Sequence, residues 1–287
     1  MTAVRQYLEA WDLRPLPLVA AAAAAMLYGL GVYRLAGRGR RWQRRRSLAF
    51  GSGLALGLLV VVGPIGAWDD TFFWTHMVQH VTLMMIVPPL LLLGSPVLLA
   101  LQTSSRETRR RRLLPVLRGR AVRTLTDPVV SWLIFAFVLV GTHLTPFYGY
   151  AVTHPVVHDL VEHPLYLAAG LIYFYPLVGG NAMPHGPSPL VKVVSLALMM
   201  APESMTGFFI YADRQLLTPA SALEERPFGP GPLADQQLGG GLMWSSGMII
   251  GAFWLTMGVL AWLQADARAT ARLDRAIAAE QAQAVRT

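Results

Sequence analysis

The chain has 287 residues, of which 54% are hydrophobic and 14% are charged, and its net charge is +8. Soluble domains carry about 25% charged residues, so this composition excludes an ordinary soluble domain and indicates one polytopic membrane domain. The chain has no cysteine, which excludes disulfides, thiolate zinc sites, iron–sulfur clusters and c-type haem attachment. A metal site would therefore use His, Met, Asp or Glu side chains.

Seven segments are long and apolar enough to cross a bilayer as helices, which takes about 20 residues each. In chain order they lie near Leu16–Leu35, Leu48–Trp68, Phe72–Leu101, Val129–Tyr150, Pro164–Val178, Leu190–Tyr211 and Gly241–Leu263. The predicted fold class is all-α, a polytopic bundle of seven transmembrane helices. This domain takes residues 1–263, and residues 264–287 form a C-terminal tail.

Arginine placement predicts the orientation, because short loops rich in Lys and Arg stay in the cytoplasm. Arginines cluster after span one, at residues 34–46, and after span three, at residues 106–123. The segments after spans two and four contain none. The N-terminus is therefore predicted outside and the tail in the cytoplasm. Topology and contact with anionic lipid explain the basic loops, so nucleic acid is not an expected partner.

With this topology, six of the seven histidines fall on the outer side, and His185 alone falls inside. The six are His76, His80, His143, His154, His158 and His163. Histidine is the commonest protein ligand for transition metals, and ionisable residues within a membrane often mark a functional site. One-sidedness by itself arises often by chance, so the spacing of the histidines carries more weight.

His76 and His80 are four residues apart in span three, which places both imidazoles on one helical face, with Cβ atoms about 5–6 Å apart. They could share one metal ion. The alternative, equally compatible with an isolated pair, is that each histidine hydrogen-bonds to a different neighbouring helix.

A second group lies between spans four and five. Pro155 favours the first turn of a helix, so His154 is predicted to cap a short helix that carries His158. His158 and His163 are five residues apart, which is not one face of a straight helix. Pro164 disfavours helical geometry at His163, so a break there would turn His163 back towards His158. The alternative is an interfacial helix with solvated histidines.

Acidic and amide side chains flank these histidines. Asp69 and Asp70 precede span three and most simply cap its start. Asp235 and Gln236 precede span seven, and together with Glu162 they are candidates to hold the imidazoles by hydrogen bonds, as carboxylates commonly do around metal-bound histidines.

Three further residues in or near the spans are candidates. Met77 and Met243 are auxiliary ligands, although packing is the simpler role for a methionine in a hydrophobic span. Glu203 lies within span six, where a buried carboxylate must be protonated, hydrogen-bonded or paired. Whether Glu203 faces the histidines stays open at this point.

Four separated segments carry distinctive motifs. They read His76-Met-Val-Gln79-His80 with Pro88-Pro89 further on, His143-Leu-Thr-Pro146-Phe-Tyr148, His158-Asp-Leu-Val-Glu162-His163, and Asp235-Gln236-Gln237-Leu-Gly239. In this order, over roughly Gly51–Leu263, they resemble the CtaG family of the caa3 type, multi-pass cytochrome c oxidase assembly proteins. One departure is Thr142, which stands where the family often has tryptophan.

The resemblance implies a non-enzymatic assembly factor in the plasma membrane that binds a copper ion and helps metallate cytochrome c oxidase. By the resemblance, five histidines are metal ligands, Asp235 and Gln236 are the polar pair, and His154 lies outside the motif. The five are His76, His80, His143, His158 and His163. Expected partners are oxidase subunits and the lipid bilayer; a copper chaperone outside the cytoplasm and further copies of the chain are compatible partners.

Other functions remain open from the residues alone. An intramembrane zinc-dependent hydrolase would use Glu162 or Glu203 as general base, but no HExxH signature is present. A haem-binding membrane protein would use two histidines on neighbouring spans. A transporter is disfavoured because the spans show no inverted repeat.

Overall fold

The computed structural model describes residues 2–178, 186–218 and 226–284, and every regular element in these ranges is helical. The α-helices are α1 (Ala3–Glu9), α2 (Pro15–Gly37), α3 (Arg44–Val62), α4 (Pro64–Ala67), α5 (Phe73–Val81), α6 (Val87–Leu93), α7 (Pro96–Thr103), α8 (Arg106–Thr108), α9 (Leu114–Leu117), α10 (Arg120–Leu125), α11 (Pro128–His143), α12 (Phe147–Thr153), α13 (Pro155–Val157), α14 (His163–Val178), α15 (Pro189–Ala212) and α16 (Pro232–Ala284). Three π-helical turns connect neighbouring helices, at Thr82–Ile86, Arg109–Leu113 and His158–Glu162. The all-α prediction agrees with these ranges. His185 lies outside the described residues.

Within the described residues, five helices are long and apolar enough to cross a membrane, and α11 with α12, bent by 65°, makes a sixth if the pair is one span. The fold is therefore that of a multi-pass helical membrane protein. The fifth predicted span corresponds to α14, whose 16 residues are fewer than the roughly 20 that a span needs. The count of seven and the orientation stay predictions.

The last helix does not end with its hydrophobic segment. α16 continues without a break for 53 residues, from Pro232 to Ala284. Residues 260–279 are exposed on every face, whereas Met243 and Trp254 are buried, and the domain boundary at residue 264 stays a prediction. The cytoplasmic location of this extension stays a prediction.

The helix that begins at Phe73 runs through the centre of the bundle. It contacts α3, α14 and α16 along α5, the π-helical turn and α6. Pro89 has no N–H group, so the carbonyl of Met85, four residues earlier, lacks its usual helical donor. The indole N–H of Trp254 in α16 donates to that carbonyl at 3.0 Å. The proline thus creates a polar contact that joins two helices in the core.

α15 and α16 approach each other backbone to backbone at two glycines. A Cβ atom on Gly207 would lie 2.4 Å from the Trp244 nitrogen, and one on Gly240 would lie 2.5 Å from the Tyr211 nitrogen. Small residues permit such close approach between membrane helices. This packing fixes the position of α16, whose first turn reaches the candidate site.

Gly207→Ala is expected to destabilise the protein by about 1–3 kcal/mol, the usual range for overpacking, because the clashing atoms are backbone and cannot rotate away. Thermal unfolding of the detergent-solubilised protein measures this as a lower midpoint. Gly141→Ala is the matched control, since a Cβ on this α11 glycine meets nothing within 4 Å. Equal midpoints for the two variants would contradict the close packing.

Candidate metal centre

Two buried histidines lie one turn apart on α5. His76 and His80 are both fully buried. The helix begins at Phe73, and the Asp235 carboxylate accepts hydrogen bonds from the backbone N–H groups of Phe73 and Trp74 at 2.9 and 3.1 Å. A carboxylate at this end satisfies free N–H donors and interacts favourably with the helix dipole. α16 therefore holds the start of the helix that carries both histidines.

The polar pair before the last span, Asp235 and Gln236, makes its hydrogen bonds and ion pair with groups other than the histidines. Asp235 also pairs with Arg226, whose Nη1 lies 2.9 Å from Oδ2. Gln236 accepts a hydrogen bond from the Leu217 N–H and donates one to the Gln215 carbonyl, both at 2.9 Å. The prediction that these two side chains hold imidazoles is corrected: they satisfy backbone groups at a helix start and in the preceding connection.

Asp69, and not Asp235, is the aspartate that contacts the imidazoles. It is fully buried, and its Oδ2 lies 3.3 Å from His158 Nε2 and 3.2 Å from His163 Nε2. Arg14 also approaches Asp69, with Nη2 3.8 Å from Oδ1. Burial alone would raise the pKa of the Asp69 carboxyl, but the two imidazoles outweigh burial and hold that pKa well below its usual range. The predicted capping role of Asp69 is therefore wrong, whereas Asp70 is exposed.

A π-helical turn brings His158 and His163 together. The His163 N–H donates to the His158 carbonyl, a bond across five residues, and the two ring centroids lie 4.5 Å apart. We expected a helix break before Pro164, but His163 is helical, with φ −61° and ψ −47°. The wider turn places residues five apart on one face without a break. Such single π-helical turns are frequent at functional sites.

Glu162 holds His158 from within the same turn. Its Oε2 accepts a hydrogen bond from His158 Nδ1 at 2.6 Å, and its Oε1 accepts one from the Tyr166 hydroxyl at 2.8 Å. Oε1 also lies 3.8 Å from His76 Nε2. Because Nδ1 of His158 donates to a carboxylate, Nε2 is the ring nitrogen that is left for another partner. This is the position that the sequence predicted for Glu162.

His143 is the last residue of α11, and its orientation is fixed by its own helix. Its Nδ1 donates to the Leu139 carbonyl at 2.8 Å. A carbonyl oxygen only accepts, so the proton is on Nδ1 and the lone pair is on Nε2. The second ring nitrogen is thereby left as a free ligand atom.

The five predicted histidines form a row of neighbouring imidazoles, here called the histidine row: His80, His143, His76, His158 and His163. Successive ring centroids lie 4.6, 5.8, 5.6 and 4.5 Å apart in that order. The structure thus brings together residues from three separate segments. Their role as metal ligands stays a prediction.

Seven buried imidazole nitrogens of the histidine row have no hydrogen-bond partner among the described residues. They are Nδ1 and Nε2 of His76 and His80, and Nε2 of His143, His158 and His163. A buried polar group without a partner costs about 1–3 kcal/mol, and folded proteins rarely collect several at one place. Each neutral imidazole has one nitrogen with a lone pair, and coordination to a metal ion would satisfy that nitrogen, so the residues fit a transition metal.

Within the described residues, two groups of three side chains have ligand atoms that all lie within 4.8 Å of one another. One group is Asp69, His158 and His163; the other is His76, His158 and Glu162. In the second group, both Glu162 oxygens already accept hydrogen bonds. In the first group neither Asp69 oxygen accepts a hydrogen bond from a described residue, and Asp69 contacts only the charged or imidazole groups given above.

Two tyrosines line the row and were missed from the sequence. The ring centroid of Tyr148 lies 4.8 Å from that of His76, and the centroid of Tyr166 lies 4.6 Å from that of His80. Both side chains are buried. The signal for Tyr148 was its membership of the His143 motif. The signal for Tyr166 was its helical spacing, four residues after Glu162.

The remaining candidates lie elsewhere. His154 is exposed, stacks on Tyr150 with centroids 3.9 Å apart, and bonds the Tyr150 carbonyl through Nδ1 at 2.8 Å. It does not join the row, because its backbone leaves the helix before Pro155. Met77 and Met243 are fully buried in the hydrophobic core, which is the packing role weighed above.

Glu203 is fully buried in α15, and neither carboxylate oxygen has a hydrogen-bond partner among the described residues. Its side chain packs against α16: a Cβ on Gly247 would lie 2.4 Å from Glu203 Cγ. Glu203 belongs to neither group of potential ligands.

A bundle of membrane-type helices around buried imidazoles and carboxylates defines a polytopic membrane protein with a candidate transition-metal centre. Comparison with known families is more specific. Residues 26–265 match the family described as cytochrome c oxidase caa3 assembly factor (Caa3_CtaG). Since the match covers most of the sequence, the chain belongs to this family.

Related proteins occur in mycobacteria. The chain is 26% identical over 282 residues to the uncharacterised protein Mb0105 of Mycobacterium bovis, covering 95% of this chain and 42% of that protein. It is 24% identical over 261 residues to the uncharacterised protein ML1998 of Mycobacterium leprae, covering 86% of this chain and 38% of that protein. The chain thus spans less than half the length of these relatives. No solved structure matches the chain.

Proposed function

We propose that this protein binds copper through the histidine row and helps to metallate cytochrome c oxidase, without catalysing a reaction. The observation that carries the proposal is the set of seven unpartnered, buried imidazole nitrogens in a member of an oxidase assembly family. Imidazole suits copper. The chain has no cysteine, and the absence of thiolate ligands favours an ion that can be given up again.

The five histidines would hold the ion, and Glu162 would keep His158 in the tautomer that offers Nε2. The protein would lie in the plasma membrane with the row towards the outer surface. Copper would arrive from that side, from a soluble chaperone or directly, and pass sideways to an oxidase subunit. Such a transfer requires that the ion exchange its ligands one at a time. A row of neighbouring imidazoles provides the successive ligands for this exchange.

The direct test is elemental analysis of the detergent-purified protein beside a His76→Ala/His80→Ala double variant. The wild type is expected to carry copper, and the double variant to carry much less, because both removed side chains are fully buried in the row. Oxidase from cells with the double variant is expected to be copper-deficient.

His154→Ala is the matched control, since His154 is exposed and outside the row. It is expected to keep wild-type copper content. Normal copper content and normal oxidase activity in the double variant would refute the proposal. Zinc in place of copper would favour a hydrolase, and a Soret absorption band would show haem.

A further inference from the structure

We propose that the histidine row contains two metal positions with different charge preference. The outer position is formed by Asp69, His158 and His163 and takes a divalent ion. The inner position is formed by His80 and His143 and takes monovalent copper. Both positions rest on the proposed function, because they assign ions to the same row.

The outer position has three ligand atoms directed at one place. Asp69 Oδ2 lies 3.3 Å from His158 Nε2 and 3.2 Å from His163 Nε2, and all three atoms lie within 4.8 Å of one another. None of the three makes a hydrogen bond to a described residue. Asp69 is fully buried, and a buried carboxylate is stabilised by a cation, so the place between these atoms favours a cation.

The hydrogen bond between His158 and Glu162 strengthens this assignment. The Nδ1–H of His158 donates to Glu162 at 2.6 Å, so Nε2 is the ring nitrogen that faces the Asp69 carboxylate. A positive charge between Nε2 and Oδ2, which lie 3.3 Å apart, stabilises this contact. A bound metal ion supplies that charge in place of the ring proton and uses both atoms as ligands.

The inner position differs in charge. Among the described residues, the imidazole–carboxylate contacts of the row involve His76, His158 and His163, and not His80 or His143. The rings of His80 and His143 lie 4.6 Å apart, and His143 offers Nε2 because its Nδ1–H is bound to its own helix.

The cost of burying an ion rises with the square of its charge, so neutral ligands in a buried place favour a monovalent ion. Copper(I) is monovalent and accepts a few imidazole ligands. His76 stands between the two positions, with its ring centroid 5.6 Å from that of His158 and 5.8 Å from that of His143. The row thus offers an anionic position at its outer end and a neutral one at its inner end.

The test is to titrate the purified full chain in detergent with zinc(II), and separately with copper(I) under anaerobic conditions against a chromogenic chelator. The wild type is expected to bind one equivalent of each ion at the same time. Asp69→Asn is expected to weaken zinc(II) binding by about tenfold or more and to keep the copper(I) equivalent. His80→Gln is expected to weaken copper(I) binding and to keep the zinc(II) equivalent.

His154→Gln is the control for the loss of an imidazole outside the row, and it is expected to match the wild type in both titrations. Circular dichroism and gel filtration establish that each variant is folded, and Asp69→Ala and His80→Asn replace any variant that is not. The proposal of two positions is refuted if zinc(II) and copper(I) compete for one equivalent, or if both variants lose the same equivalent. The proposed function is compatible with either of these results. A wild-type protein that binds no copper refutes the proposed function as well.

Discussion

Asp235→Ala is expected to lower the free energy of unfolding by about 3–5 kcal/mol, as is usual when one partner of a buried ion pair is removed. Asp235 is fully buried, and its Oδ2 lies 2.9 Å from Arg226 Nη1. The substitution leaves this guanidinium without its carboxylate and removes the acceptor for the N–H groups of Phe73 and Trp74. Thermal or denaturant unfolding in detergent measures the loss.

A second effect is expected on the site, since the same helix start carries His76 in its first turn. Copper affinity of Asp235→Ala should fall even where the protein is still folded. Asp70→Ala is the matched control, because Asp70 precedes the same helix but is exposed. If both variants unfold at the same midpoint, Asp235 does not anchor the helix as the structure indicates.

Glu162→Gln is expected to weaken copper(II) binding by about 10–100-fold, the usual cost of removing a carboxylate that orients a ligand histidine, because the divalent position contains His158. The Glu162 carboxylate accepts from His158 Nδ1 at 2.6 Å and from the Tyr166 hydroxyl at 2.8 Å. An amide has only one acceptor oxygen, so one of these bonds is lost and the tautomer of His158 is no longer fixed. Competition with a copper chelator measures the affinity.

The amount of copper bound at saturation should be unchanged, because Glu162 is not itself a proposed ligand. Asp159→Asn is the control: Asp159 lies in the same π-helical turn but pairs with Arg14. Equal affinity for Glu162→Gln and Asp159→Asn would show that Glu162 does not orient the imidazole.

The choice of histidines was accessible from the sequence because it depends on local spacing and on motifs. His76 and His80 are four residues apart, and α5 places both in the buried row. The position of Glu162 beside His158 follows from the same spacing within one turn. These are contacts between neighbours in the chain, and helical periodicity is enough to predict them.

The roles of Asp69 and Asp235 were assigned the wrong way round, and the reason is physical. In the sequence, each precedes a predicted span, so each had the same local signal for capping. Which carboxylate reaches the α5 backbone and which faces imidazoles depends on how α16 packs against α5, across a sequence separation of 162 residues for the Phe73 bond. Chain-local patterns contain no information on that packing.

The π-helical turn at His158–Glu162 shows a different limit. The residue before Pro164 normally avoids helical geometry, which made a break the expected way to bring His163 near His158. In the structure a wider turn does this while the helix continues. The preference of the residue before proline for extended geometry is outweighed here. The wider turn places His158, Glu162 and His163 on one buried face of the helix.

The sequence by itself determined the helical membrane class, the family and the histidines of the candidate site, because apolar length, helical spacing and motif order are properties of short segments. Only the tertiary structure decided that the five histidines form one continuous row, that Asp69 contacts the row at His158 and His163 and that Asp235 anchors the helix that carries His76 and His80. Those assignments depend on the side chains that distant helices bring into contact, and that is set by packing of the whole bundle.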